Sequence, residues 1–453
     1  MSETEAQPAP APADRASAPG GLTDAQRRKG MRLACAAQSL GMILQQMLFL
    51  GALGPLFIKR LGGSDFQAMI CPTLFGVLAL LQIPTSVLVS PAQGKRAMLW
   101  CWGAMGFFTL LAVALAALLG PGQPAVWAVI AALGVGLVFH SCGGTFWFPL
   151  LHQVVPPERR GRFFGKMRAL WGTTVFLAVL AAGTFLGKDP PLWRFYVVIS
   201  LAVAAFLGRN FFVARIPLAH AALAADRDYG NWKRHLRALL SRGEVVIFCL
   251  YYTLLGFWGG FLALPVVLYM NHKGWAVRDN VIIYSFASLG MVIALAGSGH
   301  LVDRLGTKRV FLGTHVLLCV VCFGMVGIGA MPTGPARLLM PTALVLLGAA
   351  RAVAALACTA QLFHLAPEQG RVFFMSLGRI LLFAGPALAP PLAGKLAQMA
   401  SPAWRWQTPL GPLDVFQVMF AAAGVGLVAL LGMLRLVRDV RAEEAAKAAP
   451  TGR

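Results

Sequence analysis

A chain of 453 residues in which 58% are hydrophobic and 12% charged, with a mean hydropathy of +0.70, carries more apolar surface than a water-soluble globular protein can hide. This argues against a soluble multidomain enzyme and for a polytopic helical membrane protein: twelve spans of about 24 residues use roughly 290, leaving about 160 for tails and short loops. The formal net charge of +22, from 39 Lys and Arg against 17 Asp and Glu, suits either nucleic acid or the basic cytosolic loops of a membrane protein, so its placement must decide.

Residues 1–30 are rich in Ala, Pro and Ser, contain no apolar run and close in the basic cluster Arg27, Arg28 and Lys29, followed by Arg32. They read as a disordered cytosolic tail. The apolar segment that follows continues to about residue 57 with no small-residue cleavage site, so it is a retained first span and not a secretory signal. Apolar runs then predict six spans at about 33–57, 66–89, 97–119, 125–154, 164–186 and 193–213. From 214 to 243 the chain turns polar, with Leu236, Leu239 and Leu240 on one side of a short basic helix. This amphipathic segment is expected to lie on the membrane surface as a linker. Six more spans follow at about 245–270, 279–302, 309–331, 338–365, 372–399 and 413–436, and residues 437–453 form a second cytosolic tail. The expected architecture is all-α, with a six-helix bundle over 31–213 and another over 244–436.

With the N-terminus inside, about 28 Lys and Arg fall in cytosolic segments, about nine in outer loops and only a couple within spans. Both termini are therefore expected on the cytosolic side of a bacterial-type inner (plasma) membrane. The same distribution argues against nucleic acid, because the charge never gathers into a patch interleaved with exposed aromatics. All eight cysteines fall in apolar stretches, which offers no extracellular disulfide framework. Cys319 and Cys322 share C-x-x-C spacing but lack the company of metal ligands.

The two halves repeat. Pro157-Glu158-Arg159-Arg160-Gly161-Arg162-Phe163-Phe164 recurs as Pro367-Glu368-Gln369-Gly370-Arg371-Val372-Phe373-Phe374, and Gly94-Lys95-Arg96 matches Gly306-Thr307-Lys308-Arg309. Duplicated bundles of this kind place a solute site at their interface near the bilayer midplane. The loop after span eight, Gly299-His300-Leu301-Val302-Asp303-Arg304-Leu305-Gly306-Thr307-Lys308-Arg309, fills every fixed place of a known signature: Gly, three variable residues, an acid, a base, any residue, Gly, any residue, two bases. In this loop, and in the layout from residue 31 to 436, the chain resembles the major facilitator superfamily.

That resemblance implies a secondary transporter, acting as a monomer, that rocks two six-helix bundles around a central site. It also implies a gating role for Gly299, Asp303, Arg304, Gly306, Lys308 and Arg309, which would hold the cytosolic side closed; Arg379, about two turns into span eleven, is placed either to reach Asp303 and join this gate or to snorkel to the cytosol. The first half departs from the signature, because Ser90-Pro91-Ala92-Gln93-Gly94-Lys95-Arg96 lacks the acid and its basic neighbour. The Gly-Pro antiporter signature of span five is missing from Trp171-Gly172-Thr173-Thr174-Val175-Phe176-Leu177-Ala178-Val179-Leu180, which lowers a drug and proton antiporter reading. Gly385-Pro386 and Pro390-Pro391 in span eleven read as a bendable gate helix.

Charges at depth are the sharper clue. The acids lie in tails, loops or span ends, with Glu244 and Asp414 nearest to a span, so carboxylate-based proton coupling has no support. His140 in span four and Arg351 in span ten occupy equivalent places in the repeat, roughly 24 Å of helix from the cytosolic ends. In the superfamily, spans one, four, seven and ten line the central cavity. An arginine this deep is costly unless it faces water, a partner or a ligand, and an anionic substrate would supply the missing charge. The candidate substrate-binding set is therefore Arg351, His140, Gln45, Gln46, Tyr251, Tyr252, Trp258 and Gln361, with packing as the competing role for each polar and aromatic member. His140 could also carry a coupling proton.

The expected function is transport of a small organic solute, anionic or strongly polar, with a coupling ion as a further partner. The alternatives are a neutral sugar carrier, a multidrug exporter or a non-transporting sensor. No cofactor is expected, since no Gly-rich segment carries the lysine of a phosphate cradle. No enzymatic activity is expected either, because His140 and Cys142 point in different directions on their helix.

Overall fold

The computed structural model describes residues 22–156, 160–218, 237, 240–365, 371–399, 405–408 and 411–437. Span one starts as Asp24–Leu44, passes through a π-helical turn at Gln45–Phe49 and resumes as Leu53–Arg60 after a 44° bend. Span two is Asp65–Leu88, span three Gly94–Leu119, span four Gln123–Val154, span five Arg160–Leu186 and span six Leu192–Ala214. In the second half, span seven is Gly243–His272, span eight Val277–Leu305, span nine Thr307–Ala330, span ten Thr333–Leu365, span eleven Arg371–Gln398 and span twelve Val415–Leu434. Among the described residues, 10 helices are long and apolar enough to cross a membrane, and the bent pair of span one makes 11. Span eleven completes the set, with Pro386, Pro390 and Pro391 inside it.

Span one begins at Asp24, inside the stretch expected to be a disordered tail. Local chemistry explains the difference: the Gln26 N–H donates to the Thr23 hydroxyl at 3.3 Å, and the Thr23 N–H donates to Gln26 Oε1 at 2.9 Å. This reciprocal capping box satisfies two amides that the first turn would otherwise orphan. Ser64 with Gln67 and Asp414 with Gln417 start spans two and twelve in the same way. Gly120, at the end of span three, takes φ +67°, a conformation that stops a helix and that an L side chain rarely adopts. A short antiparallel hairpin, Trp406–Thr408 with Gly411–Leu413, stands between spans eleven and twelve and was not expected from the sequence. Most of the expected amphipathic linker, including Leu236 and Leu239, lies outside the described residues.

The helices form two bundles. In the first, span three packs on span four and span one packs on spans five and six; in the second, span eight packs on span ten, span nine on spans ten and twelve, and span seven on span eleven. The first and last described residues share one face, called here the terminus face; the loops after odd-numbered spans make the far face. Span two meets span eleven, and span five meets span eight, across the bundles. In the far half this seam is closed by several contacts. The Tyr284 hydroxyl donates to the Leu50 carbonyl at 3.0 Å, and the Val277 and Arg278 amides donate to the Lys188 and Gly187 carbonyls at 3.1 and 3.0 Å. Phe75 meets Phe383 edge-on, and Phe176 meets Phe286.

Within the second bundle, spans eight and ten approach backbone to backbone. A Cβ on Gly348 would lie 1.8 Å from the Ala287 carbonyl oxygen, and one on Gly290 would lie 1.9 Å from that of Val345. Only hydrogen fits there. Gly348→Val is expected to lower the thermal unfolding temperature of the purified protein by several degrees, reflecting an overpacking cost of about 1–3 kcal/mol or more. Gly327→Ala, where a Cβ meets nothing within 4 Å, is expected to leave it unchanged or raise it.

Candidate functional site

The break in span one positions the first site residues. A π-turn leaves helical hydrogen bonding out of register, and here the Leu50 N–H reaches back to the Gln45 carbonyl at 3.0 Å. Such turns favour functional positions because they free polar backbone. The Leu50 carbonyl accepts from Tyr284 of span eight, and Gln46 lines a narrow cleft with Gly51, Val175, Tyr284, Ser285 and Ser288. This cleft lies between the bundles, with walls from spans one, five and eight.

Arg351 stands directly behind it. Its side chain is within hydrogen-bonding reach of the Tyr284 hydroxyl and within electrostatic reach of Tyr252. It is flanked by buried Ala350 and Ala352 yet is itself exposed. Arg168 of span five, in the opposite bundle, is also within electrostatic reach of Tyr252. Two guanidinium groups, one per bundle, thus lie within electrostatic reach of one buried tyrosine. Neither takes part in an ion pair among the described residues, whose pairs are Lys59–Asp65, Arg60–Asp189, Arg242–Glu244, His272–Asp65, Lys273–Asp414 and Arg337–Asp279. The acids of these pairs lie in loops and at helix ends.

The other expected site residues divide. Tyr252 and Gln46 join this centre; Gln45 is buried in the π-turn itself. His140 stacks on Phe75 at 5.5 Å between ring centres and lies against Phe206 at 6.2 Å, inside the first bundle. Tyr251 is fully buried and bonded to His315 Nδ1 at 3.2 Å, Trp258 packs where Gly426 leaves room on span twelve, and Gln361 accepts from the Thr307 hydroxyl. These three pack within the second bundle and do not face the centre.

Arg168 and Tyr284 escaped the sequence reading. Spans five and eight are outside the set of cavity helices, and Arg168 was not singled out. The available signal was depth: eight residues into span five is about 12 Å of helix. Arg209 of span six is a further basic residue at depth, buried with its guanidinium 3.3 Å above the Trp102 ring and 5.2 Å from that of Trp147. It is held by a cation–π cage inside the first bundle.

The expected gate divides as well. The side chains of Gly299, Asp303 and Arg379 lie outside the described residues. Arg304 is exposed, and Gly306 takes φ +78° as the turn between spans eight and nine. Lys308 donates to the Arg435 carbonyl at 3.0 Å, while Lys95, its counterpart in the repeat, donates to the Ala214 and Ile216 carbonyls at 2.7 and 2.8 Å. Each lysine therefore caps the last helix of its own half, satisfying orphan carbonyls at a helix C-terminus. Span eleven runs through Gly385 and Pro386 as one helix, and Gly385 sits against the Thr253 carbonyl where a Cβ would come within 2.1 Å. Close packing on span seven accounts for this pair without a hinge.

On the far face, Asp65 of span two accepts from His272 Nε2 of span seven at 2.8 Å and pairs with Lys59 at 2.9 Å. The histidine contact crosses the bundles.

A twelve-helix membrane protein of two repeated bundles, with a basic centre between them and contacts that close one face, has the build of an alternating-access transporter. The Major Facilitator Superfamily model matches residues 33–344 and 299–453, and the chain belongs to that superfamily. No curated protein matches it in sequence. Among solved structures it is similar to a point mutant of the nucleoside transporter NupG, with TM-score 0.67 and 14% identity over 90% of this chain and 100% of that one. It is also similar to a D-xylose-proton symporter, with TM-score 0.65 and 12% identity over 91% and 98%. A bacterial homologue of the iron transporter ferroportin gives TM-score 0.62 and 13% identity over 91% and 99%.

If the Asp65–His272 contact holds the far face shut, Asp65→Asn will loosen it. Thiol labelling of Ala52→Cys, a buried far-half position, in a background lacking the eight native cysteines, is expected to speed up several-fold in the Asp65→Asn variant. An unchanged labelling rate would assign Asp65 to local packing alone.

Proposed function

We propose that the protein carries a small organic anion across the membrane, bound between Arg168 of the first bundle and Arg351 of the second. The observation that carries this reading is that Arg168 and Arg351, one from each bundle, lie within electrostatic reach of the same buried tyrosine, Tyr252, with no carboxylate paired to either among the described residues. A carboxylate or phosphate between them gains charge-assisted hydrogen bonds from the guanidinium groups. Because the cations come from different bundles, the anion also links the moving parts, which is how binding drives closure.

In this reading the terminus face is cytosolic. Support comes from the basic residues there, among them Arg27, Arg28, Lys29, Lys95, Arg96, Arg304, Lys308 and Arg309, in keeping with the cytosolic bias of Lys and Arg in membrane proteins. The protein then sits in an inner membrane as a monomer, with spans one to six and seven to twelve as its rocking units. The far face opens to the exterior, and the closed seam corresponds to a state that faces inward.

The test is accumulation from a metabolite mixture into proteoliposomes, read by mass spectrometry. Wild type is expected to concentrate carboxylates or phosphates. Arg351→Gln and Arg168→Gln should each reduce this at least about tenfold, as loss of one charge-assisted bond of about 1.5–3 kcal/mol requires. Equal uptake of neutral solutes by wild type and both folded variants would make the arginines structural and the protein a carrier of neutral solutes.

A further inference from the structure

A second basic site stands apart from the centre, on the outer surface of the second bundle at the terminus face. Spans nine and twelve diverge there and leave a cleft of about 660 Å³ lined by Lys308, Arg309, Leu312, Val428, Leu431, Gly432, Leu434 and Arg435. Its chemistry is divided along its length. Lys308, Arg309 and Arg435 stand at the helix ends, and no acid is among the lining residues. Leu312 and Val428, both about half exposed, make an apolar wall one turn or more deeper. A Cβ on Gly432 would meet nothing within 4 Å, so the floor is open.

We infer that this cleft binds an anionic phospholipid, with the phosphate among Lys308, Arg309 and Arg435 and an acyl chain along Leu312, Val428 and Leu431. The argument is charge and polarity complementarity at the right depth. A cluster of cations at the end of membrane-spanning helices lies in the headgroup zone, where it attracts anionic lipid, and the leucines and valine below it face hydrocarbon. A soluble anion would leave that apolar wall uncovered, whereas a zwitterionic lipid would bring its own cation against three others. Lys308 spends one bond on the Arg435 carbonyl and keeps two donors, since an ammonium has three.

The first bundle supplies an internal control. Its matching lysine, Lys95, gives bonds to two carbonyls, of Ala214 and Ile216, and at the neighbouring Gly94 the Phe146 ring already occupies the space, within 2.6 Å of a would-be Cβ. The duplicated loop thus has the same cation with both carbonyls engaged and an aromatic ring packed beside it. Lipid retention should follow the second loop alone.

The experiment is native mass spectrometry of the purified full-length protein, delipidated and then titrated with phosphatidylglycerol or phosphatidylcholine of the same chains. The expected result is a retained phosphatidylglycerol adduct on wild type and on Arg96→Gln. Arg309→Gln and Arg435→Gln should each weaken it about fivefold, in line with the attraction of a single surface Lys or Arg for anionic lipid. Thermal unfolding in phosphatidylcholine verifies that each variant is folded, and two independent single variants guard against one that is not. Equal adducts with phosphatidylcholine, or undiminished phosphatidylglycerol binding in both folded variants, would overturn the site. Displacement by millimolar inorganic phosphate would instead mark a soluble-anion site. An adduct that forms only after truncation behind Val437 would show that the chain's own C-terminal segment is the occupant.

Discussion

A guanidinium cannot be left in hydrocarbon, and most of the functional architecture follows from that constraint. Arg168 and Arg351 lie inside apolar spans, where an arginine must face water, a partner or a ligand. Arg209 shows one solution: an aromatic cage of Trp102 and Trp147 surrounds it, and it takes no part in the centre. Among the described residues, Arg168 and Arg351 have no such cage and neither is paired with a carboxylate; an anion held between them, as proposed above, is the other solution.

The seam in the far half gives that centre its boundary. Tyr284 belongs to both, since it touches Arg351 and donates to the freed Leu50 carbonyl of span one. Movement of one bundle against the other must therefore break or shift the Tyr284–Leu50 hydrogen bond that adjoins Arg351. The π-turn of span one makes the connection available, because a regular helix would have consumed the carbonyl that Tyr284 uses. Asp65, His272 and Lys59 add a charged contact at the rim of the same seam.

Internal duplication left its mark in the capping lysines as much as in the bundles. Lys95 and Lys308 each reach the end of the last helix of their half, although the first loop lacks the acid and adjacent base of the second. The part of the signature the halves share is thus the part that ties a bundle together. The second loop differs in having an open cleft beside it, and there duplication has diverged into a distinct surface.

The sequence alone was enough to place the spans, the repeat and the superfamily, because hydrophobic length is a property of a single helix and survives without knowledge of its neighbours. For the same reason it picked out Arg351, as a charge at depth. It mistook the start of span one, where three residues of capping chemistry outweighed a polar composition. It could not separate Tyr251, Trp258 and Gln361 from the centre, since which face of a helix meets a cavity depends on the rotation of that helix within its bundle. Arg168 and Tyr284 entered the proposed site only because spans five and eight meet across the bundles. Composition and periodicity fix what lies in the membrane, whereas the meeting of side chains hundreds of residues apart is decided by packing, which only the tertiary structure expresses.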